Sequence, residues 1–536
     1  MRIKIFDEIK ALSIIAVVLF HLGCFKYGYL GVDVFLVIAG YLTMQSVSRS
    51  IEKDSFSVVS FIFTRVRRLL PLVLIACGVS LILGFFLMLP DDFENLSQSI
   101  VASSFFGNNI LCQISSGDYW AQNNDYKPLL HFWYLGALMQ LYIFFALIVA
   151  FCRKKVSFIY GVVTIVGILS ALMVFLGIGS QPFRFYYMPW RFYEFAIGVV
   201  LFAIIPRISD KITLKIPFLD VVGKASLSVY VWHYVFLAFW RYAIGPSCFW
   251  WFYVGYIGVL AIVSKWSYNK FEVTNNSQKL PLKRFLVYLI LAFTIINGVS
   301  LYIVNLAGIV RDVPELDVYK GTGVRGLHNK YNERIRALKP EFPNNNKINV
   351  LVIGNSYGRD WANVLLESEW AEKINIVYSS QDSRALNVEP LLNKAHVIFL
   401  AGVYIDKLPS CLRTEHGTIK VDGGFNVYVV GDKWFGVSNG MFYNRRWLDG
   451  YFKQVQKIPE DFALKLQEER KLYGSRYIDI MGAICKEDGY VPVFSDEHKF
   501  ISQDCRHLTR GGAIFVAKSI RLKHCFIKEI IYEKNN

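Results

Sequence analysis

The sequence predicts a polytopic α-helical membrane domain followed by a soluble α/β three-layer sandwich with a parallel sheet. Of the 536 residues, 54% are hydrophobic and only 19% are charged, whereas soluble proteins carry about 25% charged residues. The mean hydropathy of +0.35 excludes a single soluble domain. Nearly all long apolar runs lie within 1–308. Residues 309–346 are polar and are expected to form an extracytoplasmic linker, and 347–536 have the composition of a soluble domain.

The net charge is +16, from 58 basic and 42 acidic residues. We expect basic loops that face the cytoplasm and anionic membrane lipid, and no nucleic-acid partner, because no basic aromatic stripe occurs. The nine cysteines contain no CxxC pair, so no metal site is predicted. For a domain outside the cytoplasm, a disulfide between Cys485 and Cys505 stays open.

Nine segments are long and apolar enough to cross a membrane, at about 20 residues each. They are 10–26, 29–48, 69–90, 132–152, 156–177, 187–206, 225–244, 248–268 and 284–308. The first segment has no small-residue cleavage site and is expected to be a retained helix. The segment 95–113 is only partly apolar and leaves eleven spans open.

Basic residues mark every second loop. They are Arg65, Arg67, Arg68, Arg153, Lys154, Lys155, Arg207, Lys211, Lys215, Lys224, Lys270, Lys279, Lys283 and Arg284. The loop 91–131 is acidic instead. The positive-inside rule then predicts a cytoplasmic N-terminus, and nine or eleven spans place the second half outside the cytoplasm.

The membrane half contains three histidines, which are His21, His131 and His233. His21 follows Lys10 by eleven residues, a distance of about 16 Å along a helix. Lys10 then lies toward the cytoplasmic end and His21 toward the outer end. His21 is either a neutral imidazole bonded to a carbonyl group or a general base at the end of a membrane channel.

Other polar side chains interrupt the apolar spans. Asp33 lies in GVDVFLVIAG, and Arg191 and Glu194 lie in PWRFYEFAIG at the i,i+3 spacing of a helical ion pair. The segment RVRRLLP puts three arginines at a cytoplasmic helix entry. Taken singly, each of these features is also explained by a structural role.

Together these segments carry a family resemblance. FDEIKALSIIAVVLFH, GVDVFLVIAGYL, RVRRLLP, PLLHFWYL and SLSVYVWH resemble, in order and spacing over 5–275, the acyltransferase family 3 membrane proteins. The resemblance implies transfer of an acyl group, usually acetyl, from cytoplasmic acyl-CoA across the bacterial inner membrane to a sugar. It implies that His21 is the essential histidine, and that Arg65, Arg67 and Arg68 meet the CoA phosphates. Supporting roles fall to Lys10, Asp33, His131, Arg191, Glu194 and His233.

Three positions depart from the family pattern. Lys10 stands where arginine is usual, Ala39 where serine is common, and Leu138 where glutamate is usual. Lysine keeps the positive charge of arginine but loses its bidentate fork.

The second half alternates short apolar runs with helical patterns, as expected for a parallel sheet. Strands are predicted at 348–354, 374–380 and 395–402. Ser356 follows the first strand and opens a helix, where it either caps the helix or is exposed as a nucleophile. Asp504 and His507, in DCRHLT, supply an orienting acid and a base in one loop.

Residues 347–525 resemble the SGNH hydrolase superfamily through GNSYG and DCRHLT. The resemblance implies that Ser356 is the nucleophile, His507 the general base and Asp504 its orienter. Asn355 replaces the usual aspartate of the first block, and Gly402 is a candidate oxyanion donor beside the Ser356 amide.

The fusion of the two halves resembles bacterial O-acetyltransferases of lipopolysaccharide O-antigen and other surface polysaccharides. The expected donor substrate is acetyl-CoA, and no bound cofactor is expected. The expected acceptor is a surface polysaccharide or a lipid-linked oligosaccharide. Two alternatives remain, a membrane-anchored carbohydrate acetylesterase and a non-enzymatic transporter of a lipid-linked sugar.

Overall fold

The chain forms two compact units, Met1–Gly308 and Ile309–Asn536. The computed structural model describes residues 4–116, 122–205, 214, 216–246, 249–273, 281–320, 327–381, 387–422, 424–485, 489–502 and 504–523. Four of the basic loop residues used above, Arg207, Lys211, Lys215 and Lys279, lie outside the described residues.

The described part of the first unit is helical. Its α-helices are α1 (Lys4–His21), α2 (Gly31–Glu52), α3 (Val58–Leu87), α4 (Pro90–Ser104), α5 (Asn108–Ser116), α6 (Trp133–Phe151), α7 (Val156–Phe175), α8 (Gln181–Tyr186), α9 (Met188–Ile204), α10 (Pro217–Lys224), α11 (Ser226–Ile244), α12 (Trp250–Ser267) and α13 (Leu282–Asn305). A 3₁₀ turn, Leu130–Phe132, precedes α6, and a π-helical segment, Tyr268–Val273, follows α12.

Six helices in the described residues are long and apolar enough to cross a membrane, which confirms a multi-pass membrane protein. A seventh span results if α10 and α11, which meet at a bend of 73°, are counted as one. The prediction of nine spans exceeds this count. Helices form at all nine predicted segments. Two of them, α1 and α12, are less apolar than a typical span, because α1 carries four charged residues in 18 and α12 begins with two tryptophans.

Helices α2 and α9 approach each other closely because each has a glycine at the contact. A Cβ atom on Gly40 would lie 2.1 Å from the Phe195 carbonyl oxygen, and one on Gly198 would lie 1.9 Å from the Val37 carbonyl oxygen. Small residues permit this close backbone approach between membrane helices. The contact therefore fixes the middle turns of the two helices against each other.

The second unit contains a parallel sheet of five strands in the order β2-β1-β3-β4-β6. The strands of the unit are β1 (Ile348–Gly354), β2 (Ile374–Ser380), β3 (Val397–Ala401), β4 (Val427–Val430), β5 (Val455–Lys457), β6 (Tyr477–Ile478) and β7 (Tyr490–Pro492). Strands β5 and β7 form a separate antiparallel pair. The α-helices are α14 (Leu327–Arg336), α15 (Ser356–Leu366), α16 (Glu389–Leu392), α17 (Gly440–Tyr443), α18 (Glu460–Tyr473), α19 (Ile480–Ile484) and α20 (Arg510–Lys523).

Both faces of the sheet are buried, which explains why β1 is a continuous apolar run. Val350 and Val352 of β1 point into one hydrophobic cluster, which also includes residues of α15, α18, α19 and α20. Leu351 and Ile353 point into a second cluster beneath α16 and the loops after β3. The predicted three-layer α/β sandwich with a parallel sheet is confirmed.

The segment 309–346 is part of the second unit rather than a free linker. Ile335 of α14 is buried in the cluster against α15. The carbonyl of Glu315 accepts a hydrogen bond of 2.9 Å from the Phe500 amide, and Lys499 Nζ lies 2.6 Å from Asp317 Oδ1.

The suggested disulfide between Cys485 and Cys505 is wrong, because both residues are free cysteines. Cys505 is buried, and its Sγ lies 3.5 Å from Asn439 Oδ1. It packs as a small apolar side chain with a weak S–H donor.

Candidate active sites in the two units

The three histidines of the first unit lie together. His21 ends α1, His131 lies in the 3₁₀ turn before α6, and His233 lies in α11. The ring centroids of His21 and His233 are 5.3 Å apart, and those of His131 and His233 are 5.1 Å apart. The ring of Tyr234 lies against His21 at 4.5 Å. The structure therefore collects the three histidines, which are far apart in sequence, into one cluster.

Backbone carbonyl groups fix two of these rings. His233 Nδ1 lies 2.6 Å from the Tyr230 carbonyl oxygen, and His131 Nε2 lies 3.1 Å from the Val231 carbonyl oxygen. Because a carbonyl oxygen only accepts, these ring nitrogens carry the protons. The opposite nitrogens, Nε2 of His233 and Nδ1 of His131, are buried and have no hydrogen-bond partner among the described residues. His21 is anchored through its carbonyl oxygen, which accepts from Arg241 Nη2 at 2.6 Å.

An ionic cluster lies beside His21. Arg191 Nη1 is 2.9 Å from Asp33 Oδ1 and 2.8 Å from Glu194 Oε1. The predicted Arg191–Glu194 pair therefore forms, and Asp33 joins it from α2. A small cavity of ≈ 20 Å³ is lined by His21, Asp33 and Arg191 together with the Trp133 ring. The sequence predicts that His21 and Asp33 lie toward the outer ends of their helices.

A larger cavity of ≈ 570 Å³ lies at the other end of α1. Its basic lining residues are Lys10, Arg65, Arg68 and Lys224. The sequence predicts no role for Lys224 beyond a positive charge in a loop, although it lies just before the SLSVYVWH motif. It lines this cavity because α1 and α10 are in close contact, with Gly223 packed against the Asp7 backbone.

The three positions that depart from the family pattern lie together. Lys10, Ala39 and Leu138 all line the larger cavity. The substitutions therefore alter one site rather than three, and they make its inner wall more apolar while its positive charge is kept.

Arg67 differs from its two neighbours. Its guanidinium group lies over the Phe285 ring of α13, 4.9 Å from the centroid, and it does not line the larger cavity. The structure thus brings Arg65 and Arg68 to the cavity with Lys10, and separates Arg67 from them. Side chains two positions apart point to different faces of a helix.

One layer of aromatic rings separates the larger cavity from the histidine cluster. Tyr230 lines the cavity, and its ring lies 5.4 Å from the His131 ring and 5.5 Å from the His233 ring. Its hydroxyl group donates to the His131 carbonyl oxygen at 2.5 Å. Tyr134 packs beside it at 5.2 Å.

The second unit presents a serine at the carboxyl end of β1. Ser356 is the first residue of α15, and the side chain of Asn355 caps the helix by accepting from the Tyr357 amide at 2.9 Å. Ser356 is therefore not needed as the cap. Gly402, the candidate oxyanion donor, lies after β3 beside the Asn355 side chain. The Gly402 carbonyl oxygen accepts a hydrogen bond of 3.4 Å from the backbone amide of Asn355.

Ser356, His507 and Asp504 form a continuous hydrogen-bonded chain. Ser356 Oγ is 2.9 Å from His507 Nε2, and His507 Nδ1 is 2.6 Å from Asp504 Oδ2. Asp504 Oδ1 also accepts from the backbone amides of Arg506 and His507, at 3.0 Å and 2.7 Å. The carboxylate fixes the imidazole tautomer, which leaves Nε2 as the acceptor for the serine proton. This is the geometry that serine nucleophiles require.

The electrostatic environment keeps Asp504 ionised. Burial raises the pKa of Asp504, but the hydrogen bond from the His507 ring, the attraction to that ring and the two backbone amides together lower the pKa by more. The net pKa therefore lies well below the usual value for aspartate, which is about 3.9. Asp504 is an anion throughout the neutral range.

This depressed pKa predicts a pH-dependent stability difference. Asp504 stabilises the fold at every pH above its unfolded pKa of about 3.9, and this contribution is lost as the pH falls toward the folded pKa. The Asp504→Asn variant of the full-length protein should therefore melt at a lower temperature than the wild type near pH 7. The difference between the two melting temperatures should become smaller below about pH 4. Thermal unfolding at a series of pH values measures it, with the exposed Asp406→Asn as the control. A gap that persists undiminished in strong acid would contradict the assignment.

The comparisons with known proteins bear on the first unit. Residues 3–219 match the family model of the acyltransferase domain. The fold and this match define a multi-pass membrane protein whose first unit carries a domain of the acyltransferase family. The matched residues include Lys10, His21 and Arg65, and they end before α11 and the second unit.

Two relatives specify the similarity further. The chain is 30% identical over 237 residues to the peptidoglycan O-acetyltransferase OatA of Listeria monocytogenes, and 28% identical over 244 residues to the O-acetyltransferase OatA of Staphylococcus aureus. Each alignment covers 42% of this chain and 38% of the relative, so the chain spans well under half the length of the curated relatives it matches. No solved structure gives a significant match to the chain.

Proposed function

We propose that the protein is an O-acetyltransferase that moves an acetyl group from cytoplasmic acetyl-CoA across the membrane to a hydroxyl group of a surface polysaccharide. The observation that carries this proposal is the presence, in one chain, of an acyltransferase domain with a basic cavity and of a separate Ser–His–Asp triad. The alternating basic loops support a second unit outside the cytoplasm.

The larger cavity is the proposed donor site. Its four cations, Lys10, Arg65, Arg68 and Lys224, suit the phosphate groups of acyl-CoA because charge-assisted hydrogen bonds to phosphate are strong. The apolar wall that includes Ala39 suits the pantetheine arm and the acyl end. No bound cofactor is needed for this step, since the acyl donor is itself the substrate.

The proposed route from this cavity leads past Tyr230 to the histidine cluster and His21. His21 is placed to act as a base or as a transient acceptor of the acetyl group. Asp33 and Arg191 line the small cavity beside His21, and Glu194 pairs with Arg191. Enclosure matters for the reaction, because water that reached the activated acyl group would hydrolyse it.

The second chemical step is assigned to the triad. Ser356 Oγ attacks the acyl carbon while His507 Nε2 accepts the hydroxyl proton. The bond between the acyl carbon and its carrier then breaks, and His507 gives the proton to the departing carrier, which leaves an acyl-enzyme and a neutral imidazole. The N-terminus of α15 and the Ser356 amide favour the negative charge that develops on the acyl oxygen. A sugar hydroxyl then transfers its proton to His507 and attacks the acyl carbon. The bond to Ser356 Oγ breaks, and His507 returns the proton to Ser356.

The acceptor is a glycan on the outer side. Lipopolysaccharide O-antigen is the acceptor implied by the sequence resemblance, and the name of the Listeria relative points to peptidoglycan. NMR of both polymers, from strains with and without the gene, tests the function and identifies the acceptor. We expect O-acetyl signals to disappear from one polymer on deletion and to return with the wild-type gene. Unchanged O-acetylation of all surface glycans would refute the proposal.

Two of the three arginines of α3, Arg65 and Arg67, provide a matched test of the donor site. Arg65→Ala should raise the KM for acetyl-CoA about 10- to 100-fold, which corresponds to loss of about 1.5–3 kcal/mol from a charge-assisted hydrogen bond. Arg67→Ala removes the same charge from a side chain that packs on Phe285, and its effect on KM should be much smaller. Steady-state kinetics of both variants in membranes measures the difference. Equal KM values for the two variants would argue against the cavity as the donor site.

A further inference from the structure

A buried ion pair lies behind the triad. Lys433 Nζ is 2.9 Å from Asp360 Oδ2, and the two side chains are 3% and 1% exposed. Asp360 lies on α15 four residues after Ser356, one helical turn along the same face. Lys433 follows β4 at the carboxyl end of the sheet. The pair is thus attached to two of the elements that surround the serine.

The same carboxylate oxygen also binds the segment that carries the base. Asp360 Oδ2 accepts a hydrogen bond of 3.0 Å from the amide of Leu508, which follows His507 directly. On the other side, the His507 carbonyl oxygen accepts from Ser502 Oγ at 2.7 Å. Asp360 is therefore a direct link between the nucleophile helix and the backbone beside the imidazole.

Lys433 makes this link strong. A buried carboxylate without a partner has a high free energy, which favours uptake of a proton or movement out of the interior. Lys433 provides the partner that this buried carboxylate needs to stay in place. The ammonium group also lies 3.6 Å from the centroid of the Tyr357 ring, and Tyr357 follows Ser356 directly. The pair thereby touches the residues next to both reacting side chains, but neither reacting atom.

We propose that Asp360 and Lys433 are positioning residues that set the distance between His507 Nε2 and Ser356 Oγ, and so determine how strongly the serine is activated. This inference rests on the proposed role of Ser356 as the nucleophile. A buried pair elsewhere in the unit would contribute to stability alone, whereas this pair is bonded to the triad segments. A misplacement of about 1 Å between reacting groups can cost about 100-fold in rate.

The test uses the full-length protein in detergent and a fluorophosphonate probe, which reacts covalently with activated serines. Lys433→Met removes the ammonium group, and Asp360→Asn removes the charge but keeps an oxygen for the Leu508 amide. In each variant, the probe should label Ser356 about 10- to 100-fold more slowly per folded molecule. The maximal labelling rate should fall, whereas the probe concentration that gives the half-maximal rate should not change. The Asp360→Asn/Lys433→Met double variant has no unpaired buried charge and retains the oxygen. It should regain most of the rate.

A matched control separates positioning from stability. Arg334→Met removes another ion pair, between α14 and the residue that follows α15, since Arg334 Nη1 lies 2.8 Å from Glu367 Oε1. This variant should melt at a lower temperature but label at the wild-type rate. Wild-type labelling rates in both single variants, with only their melting temperatures lowered, would overturn the positioning role and leave the proposed function intact. Absence of labelling at Ser356 in the wild type would overturn both.

Discussion

Ser356→Ala should abolish O-acetylation of the surface glycan, with a fall in transfer rate of at least about 10³-fold. The substitution removes Oγ, the atom that lies 2.9 Å from His507 Nε2. It leaves the helix cap in place, because Asn355 provides that cap. The variant should therefore fold and insert like the wild type. Quantitative NMR of the purified glycan measures the acetyl content.

The same variant discriminates among the three functional hypotheses. Acyl transfer through Ser356 predicts that acetyl content falls to the level of the deletion strain. A carbohydrate acetylesterase predicts that acetyl content rises, since removal of acetyl groups stops. A transporter of lipid-linked sugar predicts no change in acetyl content. Ser368→Ala, two residues beyond the end of α15, is the matched control and should retain full acetylation.

His21→Ala should also abolish glycan acetylation, although the triad of the second unit remains intact. Loss of a general base or covalent acceptor costs about 10²–10⁴-fold, and the three rings of the histidine cluster are in contact. Binding of acetyl-CoA should persist, because the larger cavity is lined by Lys10 at the opposite end of α1. Glycan NMR measures the transfer, and a binding isotherm on purified protein measures the donor affinity.

The control for this variant is His416→Ala, an exposed histidine of the second unit, which should leave acetylation unchanged. Membrane levels of both variants need to match the wild type. Full acetylation in the His21→Ala strain would defeat a route through the membrane domain. Loss of donor binding in that variant would instead place His21 in the donor site.

The triad was predictable from sequence because local patterns determine it. The run INVLVIG is apolar at every position but one, as a strand buried on both faces must be, and Ser356 follows it. Asp504 and His507 are three residues apart, so one loop suffices to bring them together. The order of these signals along the chain then predicted a contact between residues 151 positions apart, which the structure contains.

Other features depend on contacts that have no local pattern. Asp33 and Arg191 are 158 residues apart, and their pairing follows from the approach of α2 to α9 at two glycines. The Asp360–Lys433 pair was likewise missed, because neither residue lies in a motif. Arg67 was grouped with Arg65 and Arg68 by adjacency, whereas helical rotation turns it away from them. The disulfide was suggested by location alone, with no information on distance.

The proposed reaction requires that an acetyl group starts on acetyl-CoA and becomes attached to Ser356. Isotope-labelled acetyl-CoA, given to the full-length protein in membranes without glycan acceptor, allows the acyl-enzyme to accumulate. Mass spectrometry of the peptide that carries Ser356 should show the added mass of one labelled acetyl group. The label should be absent from this peptide in Ser356→Ala and in His21→Ala. An unlabelled Ser356 in preparations that still acetylate glycan when acceptor is added would contradict the account.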